Sequence, residues 1–239
     1  MRPATTASRS ASPRHELLYD FHTHTFLSDG ELSPVELIRR AHVRGYRAIG
    51  IADHAGPGNL APLLQQLVEA CAFCVRHWDI WAFPGVELTH LPPAAIGEVA
   101  REARALGARL VVVHGETTAE PVEPGTNLAA VRCPDVDVLG HPGLLTAEEA
   151  ELAARNGVYV ELTARRGHSL TNGHVARLGL AAGARFLVDS DAHHPDDLLT
   201  PDLAIKVARG AGLDHPTAET VLRENPRLLL ARLIGGTRV

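Results

Sequence analysis

Seven short apolar runs recur along the chain, separated by amphipathic stretches long enough for helices. They are Leu17-Leu18-Tyr19, Ala48 to Ala52, Ile80 to Val86, Arg109 to Val113, Val136 to Gly140, Val158 to Leu162 and Ala184 to Val188. The runs are nearly continuous rather than alternating, as strands covered on both faces must be. Strands alternating with helices imply a parallel sheet, since parallel neighbours need a crossover connection. No Gly-x-Gly-x-x-Gly follows the first run, so a dinucleotide fold has no support. Seven units instead predict an α/β fold, a closed or nearly closed β/α barrel of the TIM-like type. At 239 residues the chain is long enough for one such domain and its core.

Punctuation between the runs agrees with this reading. Ser33-Pro34-Val35-Glu36 and Thr146-Ala147-Glu148-Glu149 both read as capping boxes that open helices. Further helices are predicted from Leu60 to His77, from Pro92-Pro93 to Gly107, from Asn127 to Arg132, from Gly173 to Ala182 and after Thr200-Pro201. The tail, Thr217 to Leu233, reads as helical with Asn225-Pro226 inside it. Residues 1–14 are Ser, Thr, Ala, Arg and Pro with no apolar core, and are predicted to be a disordered extension. Residues 15–239 then form the single barrel domain.

Composition excludes several functions. No apolar run approaches the ~18 residues of a membrane span. A formal net charge of −5 argues against an extended nucleic-acid surface. Three cysteines, an odd number, suit a reducing cytoplasm. Cys71 and Cys74 have redox or zinc spacing, but they fall in a helical pattern with Leu64, Leu67 and Val68 and read as buried thiols.

The chemistry lies at the ends of the runs. His22 and His24 follow the first, Asp53-His54 the second, Glu87 the third, His114 the fourth, His141 the fifth, and Asp191 with His193 the last. Ser28-Asp29-Gly30 adds a carboxylate just beyond the first strand. In a parallel barrel these ends converge on one mouth, where active sites are built. Imidazole and carboxylate without thiolate suit zinc, manganese or iron. Nine candidate ligands, His22, His24, Asp29, His54, Glu87, His114, His141, Asp191 and His193, exceed what one ion needs and can hold two or three.

Taken together, His22-Thr23-His24, Ser28-Asp29-Gly30, Asp53-His54, Gly85-Val86-Glu87, His114, His141-Pro142 and Asp191-Ala192-His193 resemble the PHP (polymerase and histidinol phosphatase) superfamily. The resemblance implies a distorted (β/α)7 barrel with a trinuclear metal site. It implies one ion on His22, His24, Glu87 and Asp191, and a second on His114 and His141 bridged by Glu87. Asp29, His54 and His193 would hold the third. Asp20 and Asp53 would orient the histidines.

Such a cationic pocket in an acidic protein selects an anion, and a phosphate monoester fits it. Glu87 and Asp191 are the candidate catalytic residues at the ions. After the sixth strand, Arg165 or Arg166 is placed to clamp phosphate, Arg165 lying nearer the strand, and His168 to protonate the leaving oxygen. The acidic segment Gly115 to Thr126 should lie over the mouth, where Glu116, Glu120 or Glu123 either meets a cationic part of a substrate or faces solvent. His42 and His174 read as structural, and His15, His77, His90 and His215 as surface residues.

The expected activity is metal-dependent hydrolysis of a small phosphorylated molecule, histidinol phosphate being the best single substrate. The alternatives are a nucleotide phosphodiesterase or exonuclease, and a non-catalytic module that keeps the barrel.

Overall fold

The computed structural model describes residues 18–235. The expected N-terminal extension and His15 lie outside the described residues. Eight strands are present among them: β1 Leu18–Thr23, β2 Tyr46–Ile51, β3 His54–Ala55, β4 Trp81–Leu88, β5 Leu110–His114, β6 Val138–Gly140, β7 Tyr159–Thr163 and β8 Phe186–Asp189. Their order is β1-β2-β4-β5-β6-β7-β8, with β3 paired to β4. Every pairing is parallel. The two-residue β3 lies just past β2, beyond Ala52-Asp53, so the seven predicted strands become a seven-stranded barrel with its second strand interrupted.

The helices are α1 Pro34–Val43, α2 Leu60–His77, α3 Ile96–Ala105, α4 Thr126–Arg132, α5 Ala147–Asn156, α6 Asn172–Ala182, α7 Pro201–Gly210, α8 His215–Glu219 and α9 Asn225–Gly235. Thr146 caps α5 with the full reciprocal box. Ser33 caps α1 through the Glu36 N–H alone, because the Glu36 carboxylate is turned to Arg39 and Arg40. Pro226 in the tail is accommodated by a π-helical turn, Thr220–Glu224, which hands α8 on to α9. Cys71 and Cys74 are free, buried thiols on α2. No described helix is long and apolar enough to cross a membrane.

Alternation along the strands makes two cores. Ile49, Ile51, Val86, Leu88, Val111, Val113, Val160 and Leu162 face the helices, against Leu37, Ile38, Leu64, Leu67 and their neighbours. Tyr19, Phe21, Phe83, Leu110, Val112, Val138, Tyr159 and Leu187 fill the lumen, where Leu229, Leu230 and Leu233 of α9 pack against them. Toward the C-terminal ends of the strands the lumen turns polar, with His22, Glu87, His114 and Glu161 buried within the strands themselves.

The barrel closes between β8 and β1 at the mouth. His24 N donates to Ala192 O (2.8 Å) and Asp191 N to His22 O (2.9 Å), beside a Thr23–Ala192 bridge. One step deeper, Phe21 N donates to the Asp189 side chain at 2.6 Å, so a carboxyl group stands in for a ladder carbonyl. The seam is thus pinned where the candidate ligands sit.

β1 carries a register shift between Asp20 and Thr23. Tyr19 and Phe21 point into the lumen. Strict alternation would send His22 to the helix side, so the bulge is what turns its ring inward. Asp20 accepts from Ser190 N and Oγ and, at 3.4 Å, from His22 N.

Just beyond β6, Gly143 adopts φ +63°, and a Cβ there would collide with the Glu116 carbonyl oxygen. Gly143→Ala should cost at least about 1–2 kcal/mol through its left-handed backbone alone, read as a lowered urea midpoint. An unchanged midpoint would mean the β6 turn has slack that the structure does not show.

Candidate metal centre

Glu87 stands at the centre. On β4, Val86 and Leu88 face the helices, so Glu87 projects into the lumen, fully buried. On β5 the same alternation turns His114 inward. His141 follows β6 at φ 21° and Asp191 follows β8 at φ 52°, both unusual for residues with a Cβ. With His90 at φ 53°, they are the non-glycine residues of positive φ among the described ones, and all three sit at the mouth. Gly140 leaves room for a ring: a Cβ there would stand 3.2 Å from His22 Cε1.

Glu87 Oε1 lies 3.3 Å from His22 Nε2, 3.1 Å from His114 Nδ1 and 3.2 Å from His141 Nε2. Its Oε2 faces His54 Nδ1 at 2.8 Å and His24 Nε2 at 3.7 Å. Asp191 Oδ1 is 3.2 Å from His24 Nε2 and 3.4 Å from His193 Nδ1, and its Oδ2 is 3.7 Å from His141 Nε2. Asp29 reaches His193 Nε2 at 3.2 Å and His54 Nε2 at 3.5 Å. All nine sequence candidates therefore meet in one cluster. His24 stands in two groupings, with His22 and Glu87 and also with Asp29, His54 and His193. The sequence-based partition gave it only to the first.

The donor set fits divalent cations. His22 Nε2, both nitrogens of His24, Glu87 Oε2, His114 Nε2 and His141 Nδ1 are buried without a hydrogen-bond partner. One such atom is costly, and six in one cluster make a site whose bonding capacity is unmet by the protein alone. Nitrogen and carboxylate donors without sulfur suit zinc, manganese or iron.

Without ions the same groups perturb one another. Burial alone would lower every ring, but Glu161, Glu87 and Asp191 hold His22 well above its usual range. Glu87 and Asp29 overcome burial to raise His54 to about 10, and Glu87 with Glu161 raises His141. At His24 burial wins and lowers the ring to about 3. Burial opposes ionisation of Glu87, yet the surrounding rings, His22 first, keep it well below the carboxylate range.

Glu161 was missed in the sequence. It lies mid-strand in β7, fully buried, and accepts from His141 N at 2.7 Å while its other oxygen is 2.7 Å from His22 Nδ1. A carboxylate inside the apolar run Val158 to Leu162 was the available signal. The orienting role expected of Asp20 and Asp53 falls largely to Glu161. Asp53 instead accepts from Thr25 N, Thr25 Oγ1 and Ser28 Oγ, and so fixes the loop that carries Asp29.

The cluster opens into a cavity of about 380 Å³ bounded by Arg165, His168, His90 and Glu120. Arg165 lies 3.6 Å from Asp197. Arg166 lines a neighbouring cavity, not this one. Burial, with His141 nearby, lowers His168 to about 4, so it is neutral at pH 7. His90, read as a surface residue, faces the cavity. His174 is structural as expected, with Nε2 2.8 Å from Leu145 O, and His42 stacks on Trp78.

No family model matches the chain. It is 47% identical over 216 residues to an uncharacterized protein of Methanocaldococcus jannaschii, covering 90% of this chain and 99% of that one. A probable phosphatase of Thermoanaerobacter is 26% identical, covering 83% and 88%. A 5'-3' exoribonuclease of Haemophilus influenzae is 47% identical over 36 residues only, 15% of this chain and 13% of that one. Among solved structures, a chain of archaeal ribonuclease P with mature tRNA shares the fold at TM-score 0.69 and 14% identity, covering 92% and 93%. Histidinol phosphate phosphatase of Lactococcus lactis, complexed with zinc, L-histidinol and phosphate, does so at TM-score 0.59 and 16% identity, covering 82% and 94%. The metal-dependent tyrosine phosphatases YwqE of Bacillus subtilis and CpsB of Streptococcus pneumoniae give TM-score 0.57 at 17% identity, covering 90% and 94%.

Raised to about 10, His54 carries a proton at neutral pH and must shed it to ligate, and the upward shifts of His22 and His141 favour the protonated ring in the same direction. Metal uptake at pH 7 should therefore release protons, and affinity should fall as pH is lowered. Calorimetric titration with Mn²⁺ or Zn²⁺ in buffers of different ionisation enthalpy measures this. A buffer-independent heat would contradict it.

Proposed function

Because the chain belongs to the PHP (polymerase and histidinol phosphatase) superfamily, we propose that it is a metal-dependent phosphatase of small phosphate monoesters, with histidinol phosphate as the leading substrate. One observation carries the reading: eight imidazoles and carboxylates gather around Glu87, with buried polar atoms of His22, His24, Glu87, His114 and His141 left unpartnered, on the floor of a cavity walled by Arg165. His22, His24, Glu87 and Asp191 would hold one ion, His114 and His141 with Glu87 a second, and Asp29, His54 and His193 a third. Two or three ions of Mn, Zn or Fe would supply Lewis-acid activation of water and neutralise charge on the phosphoryl group.

The chain's own residues do the rest. Glu87, held ionised by the rings around it, ties the ligand groups to one point. Glu161 fixes the His22 ring and the His141 backbone, so neither reorganises when substrate enters. Arg165 is placed to grip phosphate oxygens and orient the ester. His168, neutral at pH 7, would offer the leaving oxygen a hydrogen bond, a weaker role than the proton donor first expected. The net charge of −5 keeps long nucleic acid away. The free cysteines suit the cytoplasm.

The short match to the exoribonuclease favours a second reading, a nucleotide phosphodiester substrate. Assay of a Mn²⁺-loaded panel separates the two: histidinol phosphate, nucleoside monophosphates and a dinucleotide. Release of phosphate from monoesters alone is expected, and turnover of none would sink the enzyme reading. Glu87→Ala or His114→Ala should lower kcat at least ~10³-fold with little change in the circular dichroism spectrum. Arg165→Ala should mainly raise KM, and an unchanged KM would remove it from the phosphate.

A further inference from the structure

The acidic loop after β5 does more than cover the mouth. Glu116 staples its base: Oε1 accepts from Gly125 N (2.9 Å) and Asn127 N (3.0 Å), while the Asn127 side chain accepts from Glu116 N and donates to Pro142 O. Glu116 is thereby consumed in holding the loop, and Glu120 is the loop carboxylate that lines the cavity. Its oxygens lie 3.3 Å from His114 Nε2, 3.5 Å from His168 Nε2 and 3.4 Å from His90 Nε2. Those three rings come from β5, from the segment after β7 and from the strained residue after β4.

Resting on the metal-centre reading, we propose that Glu120 is a positioning residue that orients His114 for its ion and latches the loop over the site. His114 faces Glu87 with Nδ1 at 3.1 Å and Glu120 with Nε2. The Glu120 carboxylate stands 3.3 Å from Nε2 without closing a hydrogen bond there; a small rotation that closes it would place the N–H on Nε2 and leave the Nδ1 lone pair toward the ligand cluster. His22 repeats the arrangement with its nitrogens exchanged, Nε2 toward Glu87 and Nδ1 toward Glu161. The two outer carboxylates differ in their support. Glu161 is immobile within a strand, whereas the Glu120 side chain is 37% exposed on a loop. Opening the loop would leave His114 free to rotate or change tautomer, so cavity access and completeness of the second ion site are coupled. Once the loop is closed, His90 and His168 share the load on the same carboxylate.

The test measures metal without substrate. Each ion's affinity for Mn²⁺ and Zn²⁺ is followed by chelator competition, with stoichiometry by elemental analysis, in the wild type, Glu120→Ala, Glu120→Asp and Glu120→Gln. Glu120→Ala and Glu120→Asp should weaken one ion about 10–100-fold and leave the others unchanged. Glu120→Gln, which keeps length and an acceptor oxygen, should restore most of the affinity. Cleavage within 115–125 by a dilute protease should quicken in step with the lost affinity. Glu120→Asp keeps the charge and carries the test alone should the alanine variant fail to fold. Unchanged affinities in all variants would overturn the proposal and leave the phosphatase reading intact. A wild-type chain that takes up no ion would overturn both.

Discussion

A carboxylate with no access to water must be matched by something, and Glu87 is matched by five imidazoles from four strand ends. That confrontation is the constraint on which the rest of the mouth depends. Each ring that faces Glu87 or Asp191 needs a second partner on its far side to hold its tautomer. Glu161 serves His22 in this way, whereas at His54 the Thr89 hydroxyl, 2.7 Å away, shares the Nδ1 that faces Glu87 and Asp29 stands by Nε2. The result is a polar network that remains under-satisfied by itself, with buried lone pairs turned toward common points. Such a network is unfavourable in a metal-free protein and favourable in a loaded one.

The backbone is bent to serve this arrangement. β1 carries a bulge at the residues that must turn inward, and His141 and Asp191 take positive φ where their strands give out. The positive-φ residues belong to the mouth, while the side chains below it, from Tyr19 and Phe21 to Leu187, form an apolar filling. Closure of the barrel follows the same division. β1 and β8 are joined by backbone bonds at His24 and Asp191, beside the ligands, and by a side chain where the ladder fails. Strain is thus concentrated where geometry matters, and the helix-facing core over-determines it.

Much of this was legible in the residues. Near-continuous apolar runs set the parallel strands, and the histidine or acid after each run marked the mouth, because strand ends in a parallel barrel must converge. What escaped depended on contacts that a linear pattern does not carry. The bulge in β1 lies in its pairing with β2, which no pattern within β1 announces. Glu161 lies within a strand and not at its end. Glu120 was one of three loop carboxylates left open, and the choice among them depends on Glu116 being tied to Gly125 and Asn127; His90 is exposed as read, but the turn after β4 brings it to the cavity rim. His168 was readable as a nearby imidazole but not as a neutral one, since its state is set by burial and by His141.

The central claim is that the residues around Glu87 share bound cations. A crystal structure of protein grown with Mn²⁺ or Zn²⁺, with anomalous data at the metal edge, tests it most directly. Two or three anomalous peaks within the His22, His24, Glu87, His114, His141 and Asp191 cluster and its Asp29, His54 and His193 neighbours, with Glu87 touching two of them, is the predicted result. Side chains collapsed onto one another, with no peak under metal-replete conditions, would contradict it.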